Sequence, residues 1–172
     1  MLRQSARTLV LLCVIMGLAG SLELVSGYGA GEGEILEHIA IQTHRDERLE
    51  DTEVHIAVRG GQVVLSGTVY LYSQKLLYEH IVKRTPGVVE IDNDIRVVPR
   101  LPVEDAEIAG YIHSLIKEHQ RFRHTEITVD VTGGAVRLRG TFYDPGDLLF
   151  LQHQVAEIEG VIRLEIVARF VT

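Results

Sequence analysis

Cysteine, tryptophan and proline are scarce in this chain of 172 residues. The scarcity of cysteine excludes a protein held together by disulfides and a metal site built from several cysteines. Cys13 is the only cysteine, so no disulfide can form within the chain and no site of several thiolates can hold a metal. Tryptophan is absent, proline occurs four times, and aromatic residues make up 6%. The content of 46% hydrophobic and 24% charged residues is typical of a globular protein and excludes a largely disordered one. Stability must therefore come from packed cores.

The chain also has no apolar run long enough for a membrane-spanning helix, which needs about 20 such residues. The longest run lies at residues 9–19, after two arginines and before small residues. This order predicts a secretory signal peptide at residues 1–19, cleaved after Ala19 or, less favourably, after Gly27. A segment that is retained as an uncleaved anchor is the alternative.

Cys13 lies inside this apolar run and follows two leucines. A lipoprotein cysteine instead ends its apolar run after small residues, so lipidation of Cys13 is not expected. Loss of the predicted signal peptide leaves 15 basic and 24 acidic side chains, a net charge of about −9. Such a charge disfavours nucleic acid as a partner, because phosphates need a basic surface.

The chain repeats itself at an offset of 73 residues. The segment GGQVVLSGTVY at residues 60–70 matches GGAVRLRGTFY at residues 133–143, and the same offset pairs His80 with His153 without a gap. Such a match indicates two tandem domains of one fold. The two equivalent histidines are expected to line the edge of each core or a domain contact.

Within each copy the hydrophobic pattern predicts the order αββαβ. Apolar residues at helical spacing indicate a first helix, and strict alternation of apolar and polar residues after it indicates a first strand. A Gly-Gly pair then reverses the chain into a second strand, which is followed by a second helix and a last strand. Gly67 and Gly140, on the inward face of the second strand, are expected to let a helix approach closely. The predicted class is α+β, with two tandem αββαβ domains, each a three-stranded sheet with two helices on one face. The predicted divisions are a signal peptide at 1–19, a flexible Gly-rich lead at 20–33, domain 1 at 34–98, a Pro-containing linker at 99–103 and domain 2 at 104–172.

These repeats resemble the BON domain family. Its pattern of V-x-L-x-G-x-V, a helix and G-V is present as VVLSGTV with GVVEI, and again as AVRLRGTF with GVIRL. The pattern consists mostly of core and turn residues, so it indicates fold better than function. The resemblance implies a non-catalytic periplasmic protein of envelope maintenance or of osmotic and envelope stress. Its implied partner is an anionic phospholipid membrane surface, bound peripherally, or alternatively protein clients bound by a chaperone or adaptor.

No catalytic, cofactor or metal site is predicted from the residues themselves. None of the eight histidines lies in an HExxH motif, and His119, His124 and Glu118 are expected to be ordinary solvated side chains. Ser66 lies in a strand without an oriented base beside it. The glycines lie in hairpins, whereas a phosphate-binding loop joins a strand to a helix. The sequence therefore favours a binding protein over an enzyme.

The two copies differ most after their first helix. Residues 44–53 (HRDERLEDTE) have a net charge of −3, and the equivalent residues 117–126 (KEHQRFRHTE) have a net charge of +1. Basic groups near an anionic membrane contribute about 1 kcal/mol each. In the alternative interpretation, Phe122 packs in the core like its equivalent Leu49, and the basic residues form a solvated face. The predicted lipid-contacting residues are Lys117, Arg121, Phe122 and Arg123.

Two other groups of residues are candidates for contacts. Arg137, Arg139, Arg163 and Arg169 are expected on the outer sheet face of domain 2. Asp130 and Glu165 share that face. The arginines are therefore expected either to form ion pairs with these acids or to be buried against domain 1.

Tyr70 and Tyr72 are predicted at the domain interface, because the ring of a tyrosine can pack while its hydroxyl stays in contact with water. Contact of these tyrosines with a membrane is the second interpretation. The sequence does not predict the oligomeric state.

Overall fold

A computed structural model describes residues 31–171 of the chain. The predicted signal peptide at 1–19, Cys13 and most of the lead at 20–33 lie outside the described residues. Domain 1 consists of α1 (Glu32–Arg45), β1 (Glu53–Arg59), β2 (Gln62–Val69), α2 (Tyr72–Lys83) and β3 (Glu90–Val97). Domain 2 consists of α3 (Asp105–Glu118), β4 (Ile127–Thr132), β5 (Ala135–Phe142), α4 (Pro145–Ala156) and β6 (Arg163–Phe170). Short 3₁₀ turns, Glu47–Leu49 and Gln120–Phe122, follow α1 and α3.

Each sheet has its three strands in chain order, with the first pair antiparallel and the second pair parallel. The hairpin turns contain Gly60 and Gly61, with φ of 56° and 83°, and Gly133 and Gly134, with φ of 56° and 75°. Glycine adopts these left-handed angles without steric cost. The parallel third strand requires a crossover, which α2 and α4 provide. The predicted α+β class and the αββαβ order are confirmed.

Two separate cores lie between the sheets and their helices. Alternation along β2 buries Val63 and Leu65 and exposes Gln62 and Ser66. The main core residues of domain 1 are Ile39, Val58, Val63, Leu65, Val69, Val82 and Ile95. Those of domain 2 are Ile108, Ile112, Phe122, Leu138, Phe142, Leu151 and Val155. Each sheet therefore has one face covered by helices and one outer face.

The strand glycines make room for a neighbouring strand. Gly67 has a φ of 127°, and a Cβ there would collide with the carbonyl oxygen of Glu53 at the start of β1. A Cβ on Gly140 would lie 3.0 Å from Cγ1 of Ile127 and 3.1 Å from the carbonyl oxygen of Glu126. The expectation that a helix approaches these glycines is therefore wrong, because the close neighbour is the adjacent strand in both domains.

A carboxylate at the start of each first helix binds the hairpin of its own domain. Glu32 accepts a hydrogen bond of 2.6 Å from the backbone N–H of Gly60. Asp105, 73 residues later, accepts bonds of 2.7 and 2.8 Å from the N–H groups of Gly133 and Gly134. These bonds fix the first helix against the turn of the sheet that it covers.

Candidate functional site

The basic segment, defined as residues 117–126, runs from the end of α3 to the start of β4. Lys117, Arg121 and Arg123 are all exposed. Arg121 forms an ion pair of 3.0 Å with Asp147, and its guanidinium lies 5.3 Å from the ring centre of Phe150. Lys117 and Arg123 have no ion pair among residues 31–171. Two of the three cations are thus available to an external anion, and Asp147 partly neutralises the third.

Phe122 lies in the core of domain 2 and is 3% exposed. Its ring centre is 6.2 Å from that of Phe150 and 5.9 Å from that of His119. It occupies the place that Leu49, 6% exposed, takes in domain 1. This corrects the assignment of Phe122 to the lipid-contacting residues, since a ring enclosed by its own core has no surface to insert into a membrane.

The equivalent turn of domain 1 holds its arginine differently. Asp46 accepts hydrogen bonds of 2.9 and 2.7 Å from Nε and Nη2 of Arg48. The hydrogen bond from the Arg48 side chain lowers the pKa of the Asp46 carboxyl, against a smaller opposing effect of burial. His119 occupies the position of Asp46 in domain 2, so the equivalent arginine, Arg121, binds Asp147 on α4 instead. The turn of domain 2 itself therefore keeps its positive charge.

His119 is part of an aromatic layer beneath the basic segment. Its ring centre lies 4.4 Å from that of Phe150, and its Nδ1 is buried without a hydrogen-bond partner in the described part of the chain. The sequence pattern predicts a solvated histidine here and does not indicate Phe150 or Asp147, whereas the structure buries Nδ1. A comparison at the 73-residue offset would have found both, because Phe150 replaces Leu77 and Asp147 replaces Gln74.

The outer sheet face of domain 2 is exposed and carries two ion pairs. Arg137 binds Glu165 at 2.9 Å, and Arg139 binds Asp130 at 3.3 Å. Within residues 31–171, Arg163 and Arg169 form no ion pair. The face is not buried against domain 1, so that one of the two interpretations from the sequence is wrong.

Tyr72 of domain 1 contacts domain 2, and Tyr70 contacts the linker between the domains. Tyr72 packs against the hydrophobic cluster of domain 2. The guanidinium of Arg100 lies 4.2 Å from the ring centre of Tyr70 and 3.6 Å from Asp51, and the Arg100 backbone N–H donates to Glu159 at 2.7 Å. The linker is thus bound by side chains of both domains.

A groove lies between α2 and α4, and the equivalent residues His80 and His153 both line it. Arg48 and Lys83 contribute positive charge to the same groove, and Glu79 and Glu157 contribute negative charge. Across residues 31–171, no three side chains of His, Cys, Asp or Glu are grouped to hold a metal ion. None of the helices described is both long and apolar enough to span a membrane.

Comparison with known proteins identifies the fold. The BON domain family matches residues 32–99 and residues 104–164. A search of the curated proteins found no match. Two solved structures of CdsD, a structural protein of the Type III secretion system of Chlamydia trachomatis, are similar in part.

The first of these structures is the C-terminal domain of CdsD, which is 13% identical with a TM-score of 0.37. The alignment covers 79% of this chain and 65% of that one, so this chain spans less than two thirds of its length. The second is 11% identical with a TM-score of 0.30 and covers 80% of this chain and 92% of that one. Similarity at this level carries no functional argument. The two family matches cover about three quarters of the sequence and coincide with two αββαβ units, and the chain therefore belongs to the BON domain family.

Proposed function

We propose that this protein is a non-catalytic periplasmic protein of envelope maintenance and stress tolerance, which binds anionic phospholipid surfaces through its basic segment. The BON domain family is associated with phospholipid binding, and its members are generally non-catalytic. The observation that carries the proposal is that Lys117 and Arg123 are exposed and unpaired within the described residues, whereas the equivalent turn of domain 1 is acidic.

The charge distribution makes this contact weak and directional. The whole chain has a net charge of −7, so most of its surface is repelled by an anionic membrane. Each basic group near the surface contributes about 1 kcal/mol. Three such groups give an attraction that salt screens, because exposed charges interact over about 10 Å at ordinary ionic strength.

Arg121 provides a route to an apolar contact that does not use Phe122. Its guanidinium covers the half-buried ring of Phe150 while it binds Asp147. A headgroup phosphate that draws Arg121 away from Asp147 would uncover this ring at the membrane interface. A charged hydrogen bond to phosphate is as favourable for arginine as one to a carboxylate, so the exchange costs little.

An apolar groove of domain 2 favours a second candidate function, a periplasmic chaperone or adaptor that binds protein clients. The linker residue Leu101 and Tyr111 on α3 line this groove and are 67% and 60% exposed. Leu115 and Ile158 continue it toward α4. Burial of apolar client side chains in this groove would not weaken as salt rises.

Neutralising the basic segment is expected to abolish lipid binding. In a flotation assay with the chain 20–172, which holds every described residue, we expect binding to anionic vesicles, none to neutral vesicles, and loss at high salt. The triple change Lys117→Gln, Arg121→Gln and Arg123→Gln should lower the partition coefficient by about 30-fold or more, the equivalent of about 2 kcal/mol from two free cations.

A matched control changes the net charge equally in domain 1. Arg59, Arg84 and Arg96 are exposed and form no ion pair within residues 31–171, and their replacement by glutamine should leave flotation nearly intact. An equal loss in both triple variants would mean that net charge decides binding and that the basic segment has no special part. Absence of flotation under every condition would contradict the lipid proposal and favour the client-binding function.

A further inference from the structure

The free edge of the domain 1 sheet is closed by the protein's own side chains. Lys75 on α2 donates from Nζ to the carbonyl oxygens of Asn93 and Ile95 on β3, at 3.2 and 2.7 Å. The Asn93 side chain accepts the N–H of Ile95 at 3.3 Å and donates to Glu79 at 3.3 Å. Backbone groups that would accept another strand are thus occupied, and charged side chains flank them.

None of these blocking residues is present at the equivalent edge of domain 2. At the offset of 73 residues, Leu148 takes the position of Lys75, Ile166 that of Asn93 and Val167 that of Asp94. Exposed apolar surface accompanies the change, since Val167 is 45% and Phe170 is 51% exposed. At the positions equivalent to Asn93 and Asp94, β6 is therefore apolar where β3 is polar.

The backbone of β6 is open at this edge as well. Val171 donates its N–H to the carbonyl of Phe142 on β5. Toward the end of β6, the backbone N–H and C=O groups of odd-numbered residues therefore point to β5, and those of even-numbered residues point to the free edge. Among residues 31–171, the edge-facing N–H and C=O groups of Ile166 and Ala168 have no hydrogen-bond partner. Unpaired groups in a row form a template for another strand.

We propose that β6 pairs antiparallel with β6 of a second copy of this chain, which joins two domain 2 sheets into one continuous sheet of six strands. In the register that places Val167 opposite Val167, Ile166 lies opposite Ala168 and their edge-facing backbone groups bond to each other. Leu164 lies opposite Phe170, so the exposed ring of Phe170 is covered. Two-fold symmetry makes each of these unlike pairs occur twice.

Charge selects this register over its neighbours. It places Glu165 opposite Arg169 on the outer face, twice, and Arg169 has no ion pair of its own among the described residues. The neighbouring register with Ile166 opposite itself places Arg163 opposite Arg169, and like charges at this distance repel. The register with Ala168 opposite itself forms no opposite-charge pair on the outer face. The strand is thus complementary to itself in one alignment.

Blocking the edge is expected to abolish self-association, which sedimentation velocity of the chain 20–172 over a range of concentrations measures. Ala168→Pro removes an N–H that points to the free edge and leaves the hydrogen bonds between β6 and β5 in place. Val167→Asp places two carboxylates opposite each other, as Asp94 would in domain 1. Both variants should remain monomeric where the unchanged chain forms dimers. Val98→Asp, at a valine 50% exposed in domain 1, should still dimerise.

Charge reversal tests the register itself. Glu165→Arg and Arg169→Glu should each raise the dimer dissociation constant by about 10-fold or more, because two opposite-charge pairs become two like-charge pairs. An equimolar mixture of the two single variants restores both pairs and should form a heterodimer. A monomeric unchanged chain at every concentration would overturn the proposal, and so would dimers that persist in both edge variants or single variants that fail to combine.

Discussion

Replacement of Gly67 by alanine is expected to unfold domain 1 and to leave domain 2 folded. The added Cβ would collide with the carbonyl oxygen of Glu53, which is backbone and has no rotamer to change. The φ of 127° is also closed to alanine, so strain of about 1–3 kcal/mol adds to a steric cost of about 1–3 kcal/mol. A loss of about 3 kcal/mol or more is a large part of the stability of a small domain.

Gly140→Ala is the matched comparison in domain 2. Gly140 has no positive φ, and a Cβ there would lie 3.0 Å from Cγ1 of Ile127 and 3.1 Å from the carbonyl oxygen of Glu126, so these neighbours need to shift by only a few tenths of an ångström. We expect a loss of about 1 kcal/mol or less there. Urea unfolding followed by hydrogen exchange in peptides of each domain separates the two effects. Equal losses at the two glycines would contradict the role assigned to the backbone collision at Gly67.

The fold could be predicted from the sequence because its signals are local. Alternation along β1 and β2, the Gly-Gly pairs and the helical spacing each concern a few adjacent residues, and the structure has all of these elements. The predicted second helix of each copy is found at Tyr72–Lys83 and at Pro145–Ala156. The expectation that a helix closely approaches Gly67 is wrong because alternation shows which face a residue occupies and does not show which element lies closest to it.

The candidate site depended on contacts between distant segments, which periodicity does not contain. Arg121 meets Asp147 across 26 residues, and Lys75 reaches the carbonyls of β3 from α2. Comparison of the two repeats position by position supplies part of the missing information. It marks Leu148 and Val167, where polar groups of domain 1 have become apolar at one edge.

The two copies of one fold have diverged in what they expose. Domain 1 has an acidic turn after its first helix and a strand edge closed by Lys75. Domain 2 has a basic turn and an open edge at β6, so both proposed contacts of this protein lie on the second copy. In the dimer the two basic segments would belong to one particle. Paired membrane contacts raise avidity well above that of one weak contact.

Phe122→Ala is expected to destabilise domain 2 by about 3–5 kcal/mol, the cost of removing a fully buried phenylalanine side chain. The ring packs against Phe150 and His119, and the space that it leaves cannot be filled by the exposed arginines on either side. Urea unfolding monitored by hydrogen exchange in domain 2 measures the loss. Phe122→Leu, which copies Leu49 of domain 1, should lose much less.

Tyr111→Ala provides the control, since this aromatic side chain of the same domain is 60% exposed. Its replacement should change stability by about 0.5 kcal/mol or less, as for most surface positions. A similarly small effect of Phe122→Ala, together with loss of vesicle flotation, would contradict the core position and return Phe122 to the membrane contact. A large loss of stability in Phe122→Ala, with flotation kept in Phe122→Leu, would leave the cations and the ring of Phe150 as the lipid-binding groups.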